Sequence, residues 1–319
     1  MTYARHHLVN PDAPGTYHCF SRCVRRAFLC GLDALTGRSF EHRKVWVEEL
    51  LLRLADSFAV SIQAYAVMSN HLHVVVHIDP QAAQAWSDED VARRWLGIYG
   101  ASSTKAPPLE QRVQALVHNQ ARVEVLRTRL GSLSWFMRSL LQPIARQANQ
   151  EDEVSGRFWE GRFKSQALLD ERAVLGGMVY VDLNPLRAGT AASVEDSRHT
   201  SARRRLGRGI VERPLRPVAG LLDAPLPDIS ESAYLDLVRW TWDASGGADS
   251  ARAPPPHAVG HLVSNPTAWT RQLAATETRY GLAIGSLDSL LARASALSQR
   301  WLRGVGFARE LEKPAPSTA

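Results

Sequence analysis

VSIQAYAVMSNHLHVVVHI (residues 60–78) sets two apolar runs on either side of a short polar break. In the first run Val60, Ile62, Ala64, Ala66 and Met68 fall on every second position, the period of a half-buried strand. SNH reads as a tight turn and HLHVVVHI as the next strand, so the stretch is expected to be an antiparallel hairpin. Side chains alternate along a strand, so Leu72, Val74, Val76 and Ile78 share one face. His71, His73, Val75 and His77 share the other. Imidazoles in a run that otherwise favours valine need a chemical reason.

Outward from this hairpin, strand and helix patterns alternate. GTYHCFSRCVRRAFL (15–29) has the β-propensity of a strand or hairpin and ends in a basic cluster of Arg22, Arg25 and Arg26. In RSFEHRKVWVEELLLRLADSF, Trp46, Val47, Leu50, Leu51, Leu54 and Phe58 recur at helical spacing. Residues 86–107 read as an insert with a short helix and a polar loop. Residues 109–149 are helical again, with Leu133, Phe136, Leu140 and Ile144 on one face and Pro143 expected to kink the helix. GRFWEGRFKSQALL (156–169) reads as an exposed loop feeding a strand, and DERAVLGGMVYVDLN (170–184) as a helix. Asp170 is its expected N-cap, and Pro185 stops it.

The order strand, helix, strand, strand, helix, strand, helix describes a ferredoxin-like (RRM-like) α+β sandwich. Its antiparallel sheet should carry helices on one face and leave the other for function. The expected division is a first domain of 1–195 and a mainly helical C-terminal extension of 196–319, of unknown role. LPDISESAYLDLVRWTWD reads as a helix in that extension, and the small polar residues and prolines near 243–257 read as a linker. No internal repeat is visible.

The totals fit this reading. The chain has 319 residues, 45% hydrophobic and 22% charged, a globular balance. A net charge of +6 favours an anionic partner. The three cysteines, Cys19, Cys23 and Cys30, cluster without a matching second half for a zinc site, so reduced thiols are expected. No run of 18 apolar residues occurs and MTYARHHLVNPDAPG lacks a hydrophobic signal core, so a soluble cytoplasmic protein with no membrane partner is the expectation.

Histidines two apart on a strand point the same way, with Cα atoms roughly 6.5–7 Å apart. His71 and His73 can therefore converge on one metal ion, but they cannot complete its shell. His77, roughly 13 Å from His73 on the same geometry, cannot join them. The spacing alone is equally that of polar residues on a solvated face. No HExxH pair occurs, which removes a helical metalloprotease site. GLDALTGRS departs from a phosphate loop by one residue in spacing and by arginine in place of lysine. On the helix of VYVDLNP (179–185), Tyr180 and Asn184 are i,i+4 neighbours on one face. Taken alone, that pair could equally be a core residue and a helix-ending residue.

YAVMSNHLHVVVHI, then GRFWEGRFKSQALL, then YVDLNPLRAG, in that order, resembles the single-tyrosine HUH transposases, and within them the REP-associated tyrosine transposases. The resemblance covers roughly residues 1–195. It implies metal-dependent nicking and strand transfer on single-stranded or hairpin DNA, with short palindromic repeats as targets. It places His71 and His73 on the ligands of a Mg²⁺ or Mn²⁺ ion, Tyr180 on the nucleophile and Asn184 on a third ligand. The implied product is a 5′-phosphotyrosine with a free 3′-OH, a link that conserves the phosphodiester energy without ATP.

DNA contacts are expected from Arg157, Arg162 and Lys164 interleaved with Phe158, Trp159 and Phe163, a mixture of phosphate-binding charge and stacking surface. Arg22 and Arg25 would widen the basic surface, and the run Arg203, Arg204, Arg205 and Arg208 reads equally as a further DNA contact or as a solvated segment. Two other functions use the same residues: an idle DNA-binding regulator, and a hydrolase in which water replaces the tyrosine. Oligomeric state is open at this level.

Overall fold

In the computed structural model, residues 9–24, 30–32, 37–100, 106–209, 212–246 and 254–312 are described. The hairpin forms as its pattern dictates: β2 (Val60–Val67) runs antiparallel to β3 (His71–Ile78). The expected single-faced alternation of the first run is broken, however. A register shift between Ile62 and Ala64 sets Ala64 opposite Val75 and Ala66 opposite His73. The extra residue of the bulge flips everything after it to the other face. Val60, Ile62, Tyr65 and Val67 therefore share the apolar face of β3, and the small Ala64 and Ala66 join the histidine face.

The order of elements is the expected one. β1 (Gly15–Arg22) leads to α1 (His42–Ala55) and then to the hairpin. Five helices follow: α2 (Pro80–Gln84), α3 (Asp88–Tyr99), α4 (Leu109–Val117), α5 (Gln120–Leu130) and α6 (Leu133–Glu151). β4 (Lys164–Leu168) and α7 (Glu171–Asp182) complete the motif. β3 pairs with β1 and β1 with β4, all antiparallel, giving the ferredoxin-like order β2-β3-β1-β4. α1 and α6 pack together over the apolar face, where Val47, Leu51, Leu54, Phe136 and Leu140 are buried and Phe58 meets Phe136 edge to face. Each such buried side chain contributes about 1.5–3 kcal/mol of transfer free energy. α6 runs through Pro143 as one helix.

The histidine face is covered in part by α7, which lies on β2, β3 and β4. Asp170 caps it by accepting from the Ala173 N–H at 2.9 Å. Gly177 permits the approach, since a Cβ there would sit 2.9 Å from Leu168 Cδ1. The chain after residue 195 contributes α9 (Ser201–Gly207), β5 (Ala219–Gly220), α10 (Glu231–Ser245), α11 (Pro266–Ala274), β6 (Ala283–Ile284), α12 (Leu287–Ala296) and α13 (Val305–Glu312), after the single turn α8 (Asn184–Arg187). β5 pairs antiparallel with β2 and β6 parallel with β4, so this segment supplies both outer strands of a six-stranded sheet. Gly220 has φ +108°, and a Cβ there would meet the Val60 carbonyl oxygen at 2.4 Å, so only glycine fits. α10 and α11 pack on α7. The buried Asp182 carboxylate ties α7 to α9 and α10, accepting from the Ser201 and Tyr234 hydroxyls at 2.6 Å each and from the Ala202 N–H at 2.9 Å. Among the described residues no helix is long and apolar enough to cross a membrane.

Candidate active site

Register decides what shares the histidine face. Arg22 stands opposite His71, Phe20 opposite His73, and His18 opposite Val75. On the other side of β1, Phe20 stands opposite Lys164 and His18 opposite Gln166. Three strands thus place Arg22, Phe20, His18, His71, His73, Lys164 and Gln166 on one surface. At one end of it lies a cleft of about 410 Å³, lined by Arg22, His71, His73, Arg162, Lys164 and Glu277 among others. A cavity of about 520 Å³, lined by Thr16, His77 and Arg293 and more apolar in character, lies at the other end.

His71 and His73 are brought side by side, with ring centroids 4.8 Å apart. Asn70 Oδ1 accepts from His71 Nδ1 at 2.5 Å, which leaves Nε2 without a proton. Burial pushes His71 down to about 4, and Arg22 adds to the shift. His73 is lowered further, by burial first and then by its neighbours His18 and His71. Both rings are neutral at pH 7, as metal ligands must be. His77 stands apart, bonded to Thr16 Oγ1 at 3.0 Å.

α7 brings Tyr180 to the same place. Its ring meets His73 edge-on at 5.9 Å between centroids and His18 at 5.7 Å. Its hydroxyl donates to Glu277 Oε1 at 2.7 Å. The same oxygen lies 3.7 Å from His73 Nε2. Burial and the Glu277 carboxylate raise the phenol above its ordinary value of 10, while Arg187 and Arg22 pull the other way. In this arrangement burial and the carboxylate outweigh the two basic side chains.

Asn184 does not line the cleft. It is buried, and its side-chain Nδ2 donates to the Tyr180 carbonyl at 3.0 Å, a bond along the helix that closes its end. Among the described residues no three His, Cys, Asp or Glu side chains stand close enough to hold a metal ion together. What the cleft offers a divalent cation is the His71 and His73 imidazoles, with the Glu277 carboxylate 3.7 Å from His73 Nε2. That donor chemistry suits Mn²⁺ better than Mg²⁺, which prefers oxygen.

The basic and aromatic residues divide. Arg22, Arg162 and Lys164 are exposed and line the cleft. Arg157 is exposed but outside it, its guanidinium 3.5 Å from the Glu160 carbonyl. Arg25 lies outside the described residues. The stacking role expected of Phe158 and Trp159 is corrected: both are buried and pack edge to face, and the Trp159 indole donates to the Leu141 carbonyl. Apolar rings of that size bury more favourably than they stack in water. The aromatic in the cleft is instead Phe20, with Lys164 Nζ 5.6 Å from its centroid. Arg205 also leaves its run, buried against Glu231 at 2.8 Å, whereas Arg203, Arg204, Arg208 and Arg198 line a separate open groove beside α9.

Sequence reasoning missed four participants: His18, Phe20, Gln166 and Glu277. Three had a signal, because Phe20, His18 and Arg22 share one parity along β1, as Gln166 and Lys164 do along β4. Glu277 had none, since it reaches the site from the turn after α11.

No known family matches the chain, and no curated protein matches it. Among solved structures, a REP-associated tyrosine transposase bound to a REP hairpin is similar over 72% of this chain and 98% of that one, at 15% identity and a TM-score of 0.38, a distant structural likeness.

Proposed function

We propose that the protein nicks and rejoins single-stranded or hairpin DNA through Tyr180. One observation carries the reading: the folded sheet and α7 bring Tyr180 against His73, more than a hundred positions away in sequence, and His73 lines a basic cleft. Tyr234 also rests on a carboxylate, deep in the structural core; Tyr180 differs in that its carboxylate, Glu277, and its neighbour His73 both line the basic cleft.

The steps follow from the side chains. Arg22, Arg162 and Lys164 draw a phosphate into the cleft, and Phe20 offers a face for a base. The Tyr180 oxygen attacks phosphorus, the P–O3′ bond breaks, and the new O–P bond leaves the 5′ end on the tyrosine. As that bond forms the phenol proton passes to Glu277, which already accepts its hydrogen bond. The departing 3′ oxygen takes a proton and becomes the 3′-OH. Reversal by an incoming 3′-OH rejoins the strand. His71 and His73 would hold Mg²⁺ or Mn²⁺, which supplies polarisation of the phosphate and stabilisation of its transition-state charge.

The test is a denaturing gel of the protein with labelled hairpin oligonucleotides and Mn²⁺, beside Tyr180→Phe. A protease-sensitive shifted band in wild type alone is the expected result. Cleavage without an adduct in both proteins would favour the hydrolase, and binding without cleavage would favour the DNA-binding regulator.

A further inference from the structure

A chain of hydrogen bonds runs from the C-terminal extension to the cleft, and the chemistry of its partners fixes every proton in it. The Thr276 carbonyl can only accept, so the Gln166 atom 2.9 Å away is the Nε2 donor. Gln166 Oε1 therefore faces His18, and the 3.0 Å contact there is a donation from His18 Nδ1. A neutral imidazole has a single proton, which leaves His18 Nε2 as an acceptor. The 2.9 Å contact between His18 Nε2 and His73 Nδ1 is then donated by His73. His73 is left with a bare Nε2, the atom nearest Glu277. Burial supports neutrality throughout: His18 is 0%, His73 1%, Gln166 4% and Thr276 3% exposed, where an imidazolium would lose its hydration.

We infer that His18 and Gln166 are positioning residues that lock His73 in the tautomer able to bind a metal, with the Thr276 carbonyl setting the direction of the chain. The inference rests on reading His71 and His73 as metal ligands. It assigns the extension a role: the turn that carries Glu277 to Tyr180 also anchors, one residue earlier, the relay behind His73. His71 needs no such relay, because the adjacent Asn70 sets its tautomer locally. Without the Thr276 contact the Gln166 amide is free to turn over, and His18 and His73 lose their preference together. Outer partners of ligating histidines act in this way, and their loss lowers metal affinity about 10–100-fold.

The experiment is long-range ¹H–¹⁵N correlation NMR on histidine-labelled, metal-free full chain, with a Mn²⁺ titration on the same samples and no DNA. In wild type the His73 signal should be that of the Nδ1–H tautomer. In His18→Phe it should move to a mixed or Nε2–H form, with Mn²⁺ affinity down at least tenfold. His18→Gln should restore both, because its amide can accept from His73 and donate to Gln166. If His18→Phe does not fold, Gln166→Leu reads the same relay one link away. A His73 Nε2–H tautomer in wild type, or an unchanged tautomer and Mn²⁺ affinity in the variants, would overturn the inference. A wild type that shows the tautomer and its switch but takes up no Mn²⁺ would uphold the relay and remove the metal from the proposed function.

Discussion

The Tyr180 hydroxyl rests on a carboxylate, and that contact sets the chemistry expected of single residues. Burial first and then Glu277 hold the phenol protonated in the resting protein, and Glu277 is the group that can take its proton during attack. Glu277→Gln keeps a hydrogen-bonding partner but no base. It should slow adduct formation about 10²-fold or more while leaving DNA affinity within a factor of a few. Single-turnover kinetics beside a binding titration separate the two. Faster adduct formation in the variant would show that the carboxylate restrains the tyrosine rather than serving it. Phe20 makes a second residue-scale prediction: Phe20→Ala should weaken single-strand binding by about 1–3 kcal/mol, the range for loss of one base-stacking face, measured by fluorescence anisotropy.

Among the elements, α7 depends on a buried charge. Burial raises the Asp182 carboxyl above its ordinary value, although Ser201, Tyr234 and Ala202 all donate to it. A raised folded pKa means that the native state holds the proton longer than the unfolded chain does. This residue's contribution to stability therefore falls as pH rises from the unfolded carboxyl value of about 3.9, and it levels off above the folded value. Asp182→Asn can still accept from Ser201 and Ala202 through its oxygen, and Tyr234 can turn to accept from its amide. It should match or exceed wild-type stability at pH 7 and remove that slope, whereas Asp182→Ala should cost about 3 kcal/mol. Denaturant melts across pH 4–7 check the sign. A wild type that gains stability across that window relative to Asp182→Asn would contradict it.

At this scale much was legible in the sequence, because helices, strands and caps are local. The Phe136, Leu140, Ile144 stripe, the Asp170 cap and the alternating faces of β3 all follow from spacing within a few residues. The bulge between Ile62 and Ala64 was not legible, since alanine suits either face and nothing local marks the extra residue. The burial of Phe158 and Trp159 was equally ambiguous, because the same rings serve a core or a base stack.

For the molecule as a whole, the extension decides what sequence could not reveal. Its edge strands and the Thr276 contact to Gln166 join residues more than a hundred positions apart, Glu277 reaches Tyr180 across 97, and the Asp182 hub spans 19 to 52, all invisible to local periodicity. The groove beside α9, lined by Arg198, Arg203, Arg204 and Arg208, adds a second basic surface away from the cleft. If it tracks the phosphate backbone, Arg203→Ala with Arg208→Ala should lower affinity uniformly across DNA sequences. The pair should also reduce the slope of log K against log salt by about 2. An unchanged slope would confine DNA contact to the cleft. The central claim remains that Tyr180 becomes covalently joined to DNA, and mass spectrometry of the nuclease-trimmed, proteolysed reaction product tests it most directly. A nucleotide remnant on the peptide carrying Tyr180 is the predicted result; cut DNA with that peptide unmodified would contradict the account.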